Sequence, residues 1–239
     1  MKTLVISALL ALGALAPALA QQVRPVAEFH ALRVGSGVEL TLTAGHAQRV
    51  EVNVSPAEFS QYLLTTVEGG TLVIRYDNHN DPNGRERSRQ HVRLRVAVTA
   101  DQLTALTAGS GSSVQASGNF AAPDAFKLDV SSGASLEATL RTGSLAVDQS
   151  SGSTVRLSGQ ATKLQLETGS GATFNGKELQ TTTCRADASS GSTIQVAVKD
   201  DLVAEASSGA SIQYYGSPQV TKRVSSGASV SGRQPYSVR

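Results

Sequence analysis

From about residue 100 onward, apolar and polar positions alternate in step with a short phrase that keeps returning. The phrase reads Gly109-Ser-Gly-Ser-Ser-Val114, Ser131-Ser-Gly-Ala-Ser-Leu136, Ser150-Ser-Gly-Ser-Thr-Val155 and Gly169-Ser-Gly-Ala-Thr-Phe174. It continues as Ser189-Ser-Gly-Ser-Thr-Ile194, Ser207-Ser-Gly-Ala-Ser-Ile212 and Ser225-Ser-Gly-Ala-Ser-Val230. Its central glycines, at 111, 133, 152, 171, 191, 209 and 227, are spaced by 22, 19, 19, 20, 18 and 18 residues. A sustained period near twenty predicts a solenoid, whose units bury their apolar faces only by stacking.

Alignment on the glycine separates inside from outside. Three positions after it stand Val114, Leu136, Val155, Phe174, Ile194, Ile212 and Val230. Five before it stand Leu106, Leu128, Val147, Leu166, Ala186 and Ala204, broken only by Lys222. Seven before it stand Phe126, Leu145, Leu164, Cys184, Leu202 and Val220, with Thr104 the exception. Odd offsets are the period-2 signature of strands with one buried face, and the helical period of 3.6 does not produce them.

The even offsets therefore point outward. Two after the glycine lie Ser113, Ser135, Thr154, Thr173, Thr193, Ser211 and Ser229; two before it every residue is Gly or Ser. Four before it lie Asp129, Asp148, Glu167, Asp187 and Glu205, between Thr107 and Arg223. The expectation is one outer face carrying a flat hydroxyl-and-glycine strip, edged by five stacked carboxylates.

The N-terminal part follows the scheme less regularly. Leu32 to Leu42 fits the template with Gly37 as central glycine, and strands are predicted at 49–54, 71–76 and 91–99. Ser55-Pro56-Ala57-Glu58 reads as a capping box that opens a short helix to about Leu64. Residues 77–90 read as a polar hairpin loop. The expected organisation is a signal peptide over 1–20, an N-terminal β part over 21–100 and a regular Ser/Gly-repeat solenoid over 101–239. Lys2, the apolar run Leu4 to Leu15 and Ala18-Leu19-Ala20 are the parts of that signal, with cleavage before Gln21. That apolar run is too short to span a bilayer, so no transmembrane segment is expected after cleavage.

Composition narrows the functional classes. Cleavage would remove Lys2 and take the formal charge from +2 to +1, and aromatics make up only 4% of the chain with no Trp. A near-neutral chain without a basic run is a poor nucleic-acid binder. The single cysteine, Cys184, excludes a disulfide framework and sits in an inward column, as a small buried hydrophobe does. His30, His46, His79 and His91 have no metal-ligand spacing. Asp77, His79 and Asp81 alternate as in a calcium loop, but Pro82 stands where such a loop needs glycine. No serine sits in a nucleophile elbow, and no histidine lies in the serine-rich half. A serine repeated in every coil is not a catalytic residue, so no enzyme is expected.

Gly35-Ser-Gly-Val-Glu-Leu-Thr-Leu42, the short helix, Gly70-Thr-Leu-Val-Ile74 and the Ser-Ser-Gly-Ala-Ser ladder together resemble the head GIN domain family. The resemblance covers roughly 26–232. Proteins of that family are labelled auto-transporter adhesins and are exported by Gram-negative bacteria. It implies an all-β, right-handed parallel β-helix, here with about 18–22 residues per coil, and supplies no catalytic residues.

The expected function is a non-enzymatic, exported cell-envelope or surface protein in the periplasm, on the outer membrane or outside the cell. It would present a repetitive face to a polysaccharide or to another surface protein. A structural or assembly module of the envelope is the alternative, and a polysaccharide-acting β-helix enzyme a third. Coils about 4.8 Å apart would set the five carboxylates close enough to repel by about 1 kcal/mol in water. A solvated row offset by Lys127 and Arg185 is the simpler reading of Asp129, Asp148, Glu167, Asp187 and Glu205. The functional one is a ladder for cations such as Ca²⁺, beside a ligand strip of Ser135, Thr154, Thr173, Thr193 and Ser211.

Overall fold

A computed structural model of the chain describes residues 22–77, 80, 92–122 and 124–233. The expected signal peptide, His79, Asp81, His91 and nearly all of the 77–90 loop lie outside the described residues.

Seventeen strands form one hydrogen-bonded sheet that coils on itself. The first seven are β1 (Gln22–Arg24), β2 (Ala31–Val34), β3 (Glu39–Ala44), β4 (Arg49–Ser55), β5 (Leu63–Glu68), β6 (Thr71–Tyr76) and β7 (Arg93–Ala100). Then follow β8 (Ala105–Ala108), β9 (Ser113–Ser117), β10 (Ala125–Val130), β11 (Ser135–Gln149), β12 (Thr154–Thr168) and β13 (Thr173–Ala188). The last four are β14 (Thr193–Ala206), β15 (Ser211–Tyr215), β16 (Gln219–Val224) and β17 (Ser229–Arg233). From β8 onward every strand pairing is parallel, coil upon coil, as the period near twenty predicts.

Gly37 and Gly111 lie 74 residues apart in sequence but one coil apart in space, because β2 pairs with β8 and β3 with β9. The intervening chain closes the N-terminal end. Strands β6 and β7 stack parallel on β2 and β3, and β5 and β4 then pair with them in the antiparallel sense. No comparable layer covers the other end, where β16 and β17 each have a strand partner on one side only among the described residues.

The repeated phrase is the corner that makes each coil. Both its central residues are left-handed: φ runs from 48 to 57° at the serines and from 68 to 74° at the glycines of eight successive turns. Positive φ at both central positions is the type I′ pattern, in which glycine carries no Cβ penalty. Within each turn the residue after the glycine donates its N–H to the carbonyl two residues before it, as from Ser153 to Ser150 at 3.2 Å. Between turns the glycine N–H donates to the next coil's serine carbonyl, Gly152 to Ser170 at 3.0 Å, seven times in succession. The corner is thus a hydrogen-bonded ladder in its own right, with glycine N–H and serine carbonyl paired from coil to coil.

The three apolar columns are buried through the Gly209 coil. Two further inward columns flank the turn, three before the glycine and one after it. They admit polar residues, because corner carbonyls lie within reach. Ser153 Oγ donates to the carbonyls of Val130 and Ser150, both at 2.8 Å. Gln149 Nε2 bridges the carbonyls of Ser153 (3.0 Å) and Thr173 (2.9 Å). The expected helix differs from the sequence reading. It is a 3₁₀ segment, Ala57–Tyr62, with Pro56 at the N-cap and no side-chain cap. Ser55 cannot cap it, because it is held in β4 opposite Arg93 of β7.

Candidate functional site

Parallel register sets the five carboxylates in one row, Asp129 beside Asp148, then Glu167, Asp187 and Glu205. Arg223 follows Glu205 as the row's next member. The C-terminal part of the row is neutralised. Arg185 reaches Asp187 at 3.3 Å and Glu205 at 3.0 Å, and Arg223 reaches Glu205 at 3.8 Å. Asp129, Asp148 and Glu167 have no such partner among the described residues. A shallow groove of about 610 Å³ runs along Asp148, Glu167, Asp187 and Glu205, floored by Ser150, Gly169, Ser189 and Ser207. Three adjacent carboxylates extend over two coil steps, roughly 10 Å, too far to converge on one cation. Among the described residues no three His, Cys, Asp or Glu side chains are grouped to hold a metal ion.

Ser135, Thr154, Thr173, Thr193 and Ser211 also stack in register, between Ser113 and Ser229. They do not share a face with the carboxylates. The left-handed turn stands between the two rows, so the hydroxyls occupy the next wall and none of them lines the acidic groove. Two positions further along that wall runs a row the sequence reading passed over: Gln115, Glu137, Arg156, Asn175, Gln195 and Gln213. It was available at four residues after each glycine, but it has no common residue type to announce it. Its members share only polarity. The wall is thus a double strip of hydroxyls and of amide or charged groups, repeated at the coil spacing. Hydroxyls link along it, with Ser135 Oγ donating to Ser113 Oγ at 3.2 Å. At its C-terminal end Tyr215 donates its hydroxyl to Gln213 Oε1 at 2.8 Å.

The other candidate residues among those described are Cys184, His46 and His30. Cys184 is 4% exposed, in register between Leu164 and Leu202, and burial pushes its thiol up to about 12. A thiol held that far above neutral pH is no nucleophile. His46 is exposed and meets Asp101 at 3.3 Å. The ring of His30 packs over Gly70, where any Cβ would collide with it.

The family described as "Putative auto-transporter adhesin, head GIN domain" matches residues 28–218. No curated protein matches the chain. Among solved structures, a "putative adhesin" from Bacteroides fragilis NCTC 9343 superimposes with a TM-score of 0.77 at 16% identity, over 92% of this chain and 98% of that one. A "putative lipid binding protein" from Parabacteroides distasonis ATCC 8503 gives 0.68 at 14% identity, over 89% and 96%. A "putative adhesin" from Parabacteroides merdae ATCC 43184 gives 0.67 at 14% identity, over 90% and 95%. At these identities the likeness concerns the fold.

Proposed function

We propose that this chain, which belongs to the head GIN domain family, is a non-enzymatic adhesin of the cell envelope that binds an extended polysaccharide along its hydroxyl-and-amide wall. The observation that carries the reading is the double strip itself. Thr154, Thr173 and Thr193 stack in register, and Arg156, Asn175 and Gln195 stack beside them. A polymer with repeated hydroxyls meets donors and acceptors at a regular interval there, with no bulky side chain in the first row to hold it off. Amides, hydroxyls and an Arg–carboxylate mixture are the groups that fix polar ligands by orientation. The family and its structural neighbours carry adhesin names, which supports export and a surface role.

A glycan array probed with the mature protein tests the reading. Replacing Thr154, Thr173 and Thr193 together by Val keeps shape and β propensity while removing three hydroxyls. Bound glycan signal should fall at least tenfold with the circular dichroism spectrum unchanged. No glycan bound by the parent, or equal binding by the triple variant, would remove the wall from consideration. An envelope assembly module is the second reading, and the outer edge of β16, which has no strand partner among the described residues, is the observation in its favour.

A further inference from the structure

The last coil breaks the rules that the other coils keep. Its inward position five before the glycine is Lys222, where six coils carry Leu, Val or Ala, and the side chain is exposed. Its position in the acidic row is Arg223. Residues 219–233 hold Lys222, Arg223 and Arg233 and no Asp or Glu. The coil is otherwise built to be stacked upon. Val220, Ala228 and Val230 are only half-buried, and Val224 is 46% exposed. The outer edge of β16 pairs with nothing among the described residues. The family match ends at residue 218, before this coil begins.

An unpaired edge is a template for another strand, and its side chains select which strand. A second copy of this coil fits badly, because each copy brings three cations and no acid to the contact. Residues 234–239, Gln-Pro-Tyr-Ser-Val-Arg, include no Asp or Glu. We infer that the C-terminal edge receives an extended acidic segment of a partner protein, added to β16 as one more strand. In parallel register the partner sets apolar residues over Val220 and Val224. It also sets one carboxylate against Lys222 inside and one against Arg223 outside. Arg223 then stands between two acids, the new one and Glu205 at 3.8 Å. Covering Lys222 without a carboxylate would bury an unpaired charge, which is what bars neutral or basic strands. The inference is independent of the glycan reading, since it uses a different surface.

The probe is a labelled peptide with the sequence of β16 and glutamate in place of its two cations, Gln-Val-Thr-Glu-Glu-Val. The unchanged sequence, Gln-Val-Thr-Lys-Arg-Val, is the control. Fluorescence anisotropy at low salt should show the acidic peptide bound at least tenfold more tightly by the full chain, with the advantage shrinking as salt is added. Lys222→Glu together with Arg223→Glu should invert the preference. Lys222→Glu alone, which keeps the Arg223–Glu205 pair, should abolish it with the dichroism spectrum intact. Equal binding of both peptides, or binding of neither, overturns the proposal. So does sedimentation of the parent as a dimer that Lys222→Glu dissociates or tightens, because the edge would then belong to a second copy.

Discussion

At the scale of single residues, two kinds of position show how the environment sets the cost of a change. Gly152 has φ of 68°, and an added Cβ would meet nothing within 4 Å, so only backbone strain opposes Gly152→Ala. That costs about 1–2 kcal/mol. Gly159, at φ of 107°, would drive a Cβ onto the Leu140 carbonyl of the neighbouring coil, so the ladder itself must move. Gly159→Ala should therefore destabilise clearly more than Gly152→Ala in urea titrations, and equal midpoints would refute the distinction. Cys184 gives a pH-dependent case. Its thiol is pushed from 9.0 to about 12 by burial. Between those values the folded state keeps a proton that the unfolded state has lost, so stability falls as pH rises through this window. The slope is about 1.4 kcal/mol per pH unit at most, and all of this contribution is present below pH 9. Cys184→Ala should flatten that fall relative to the parent. In native buffer the thiol should resist a thiol reagent until denaturant is added, and rapid labelling would contradict its buried place.

At the scale of elements, the decisive prediction is Leu164→Asp. Leu164 is 3% exposed in β12, between Leu145 of β11 and Cys184 of β13. An unpaired carboxylate there should cost upwards of about 3 kcal/mol. Because each coil leans on its neighbours, the loss should broaden or split the melting transition of the rod. An unchanged, single transition would mean that the column does not hold the coils together. The inward columns were legible in the sequence because burial enforces one residue class at a fixed spacing. The corner was legible only as a phrase. Its two left-handed residues and the ladder of Gly-to-Ser hydrogen bonds are backbone properties that no side-chain pattern displays. For the same reason the carboxylates and hydroxyls looked like neighbours in the aligned sequence, although a turn divides them. The helix misled in a different way. Ser55-x-x-Glu58 has the letters of a capping box, but the pairing of β4 with β7 claims Ser55 first. The strands that close the N-terminal end are legible as alternation, but their pairing is not, because β6 and β7 stack on β2 and β3 across 40 and 56 residues, Ala31 beside Thr71 and Glu39 beside Arg95.

For the molecule as a whole, the acidic row is a property of the stacked rod and of no single coil. Folding brings Asp129, Asp148 and Glu167 to coil spacing without an ion-pair partner among the described residues, whereas Arg185 and Arg223 relieve Asp187 and Glu205. Each unrelieved neighbour pair costs roughly 1 kcal/mol in water at this spacing, and less as ions screen it. Replacing Asp129 and Asp148 by Asn and Glu167 by Gln removes that repulsion without touching an ion pair. At low salt the triple variant should therefore melt higher than the parent, by several degrees if the row contributes on the order of 1–2 kcal/mol. The gap should close as sodium chloride approaches about 1 M, where screening reaches only about 3 Å. Calcium discriminates between diffuse screening and a built site. The carboxylates are strung along the axis and no three converge, so calcium should raise the parent's melting temperature no more than sodium chloride of equal ionic strength. A calcium effect beyond ionic strength, present in the parent and lost in the triple variant, would instead make the row a cation ladder. Its groove along Ser150 and Ser189 would then compete with the hydroxyl wall as the place where a glycan is held.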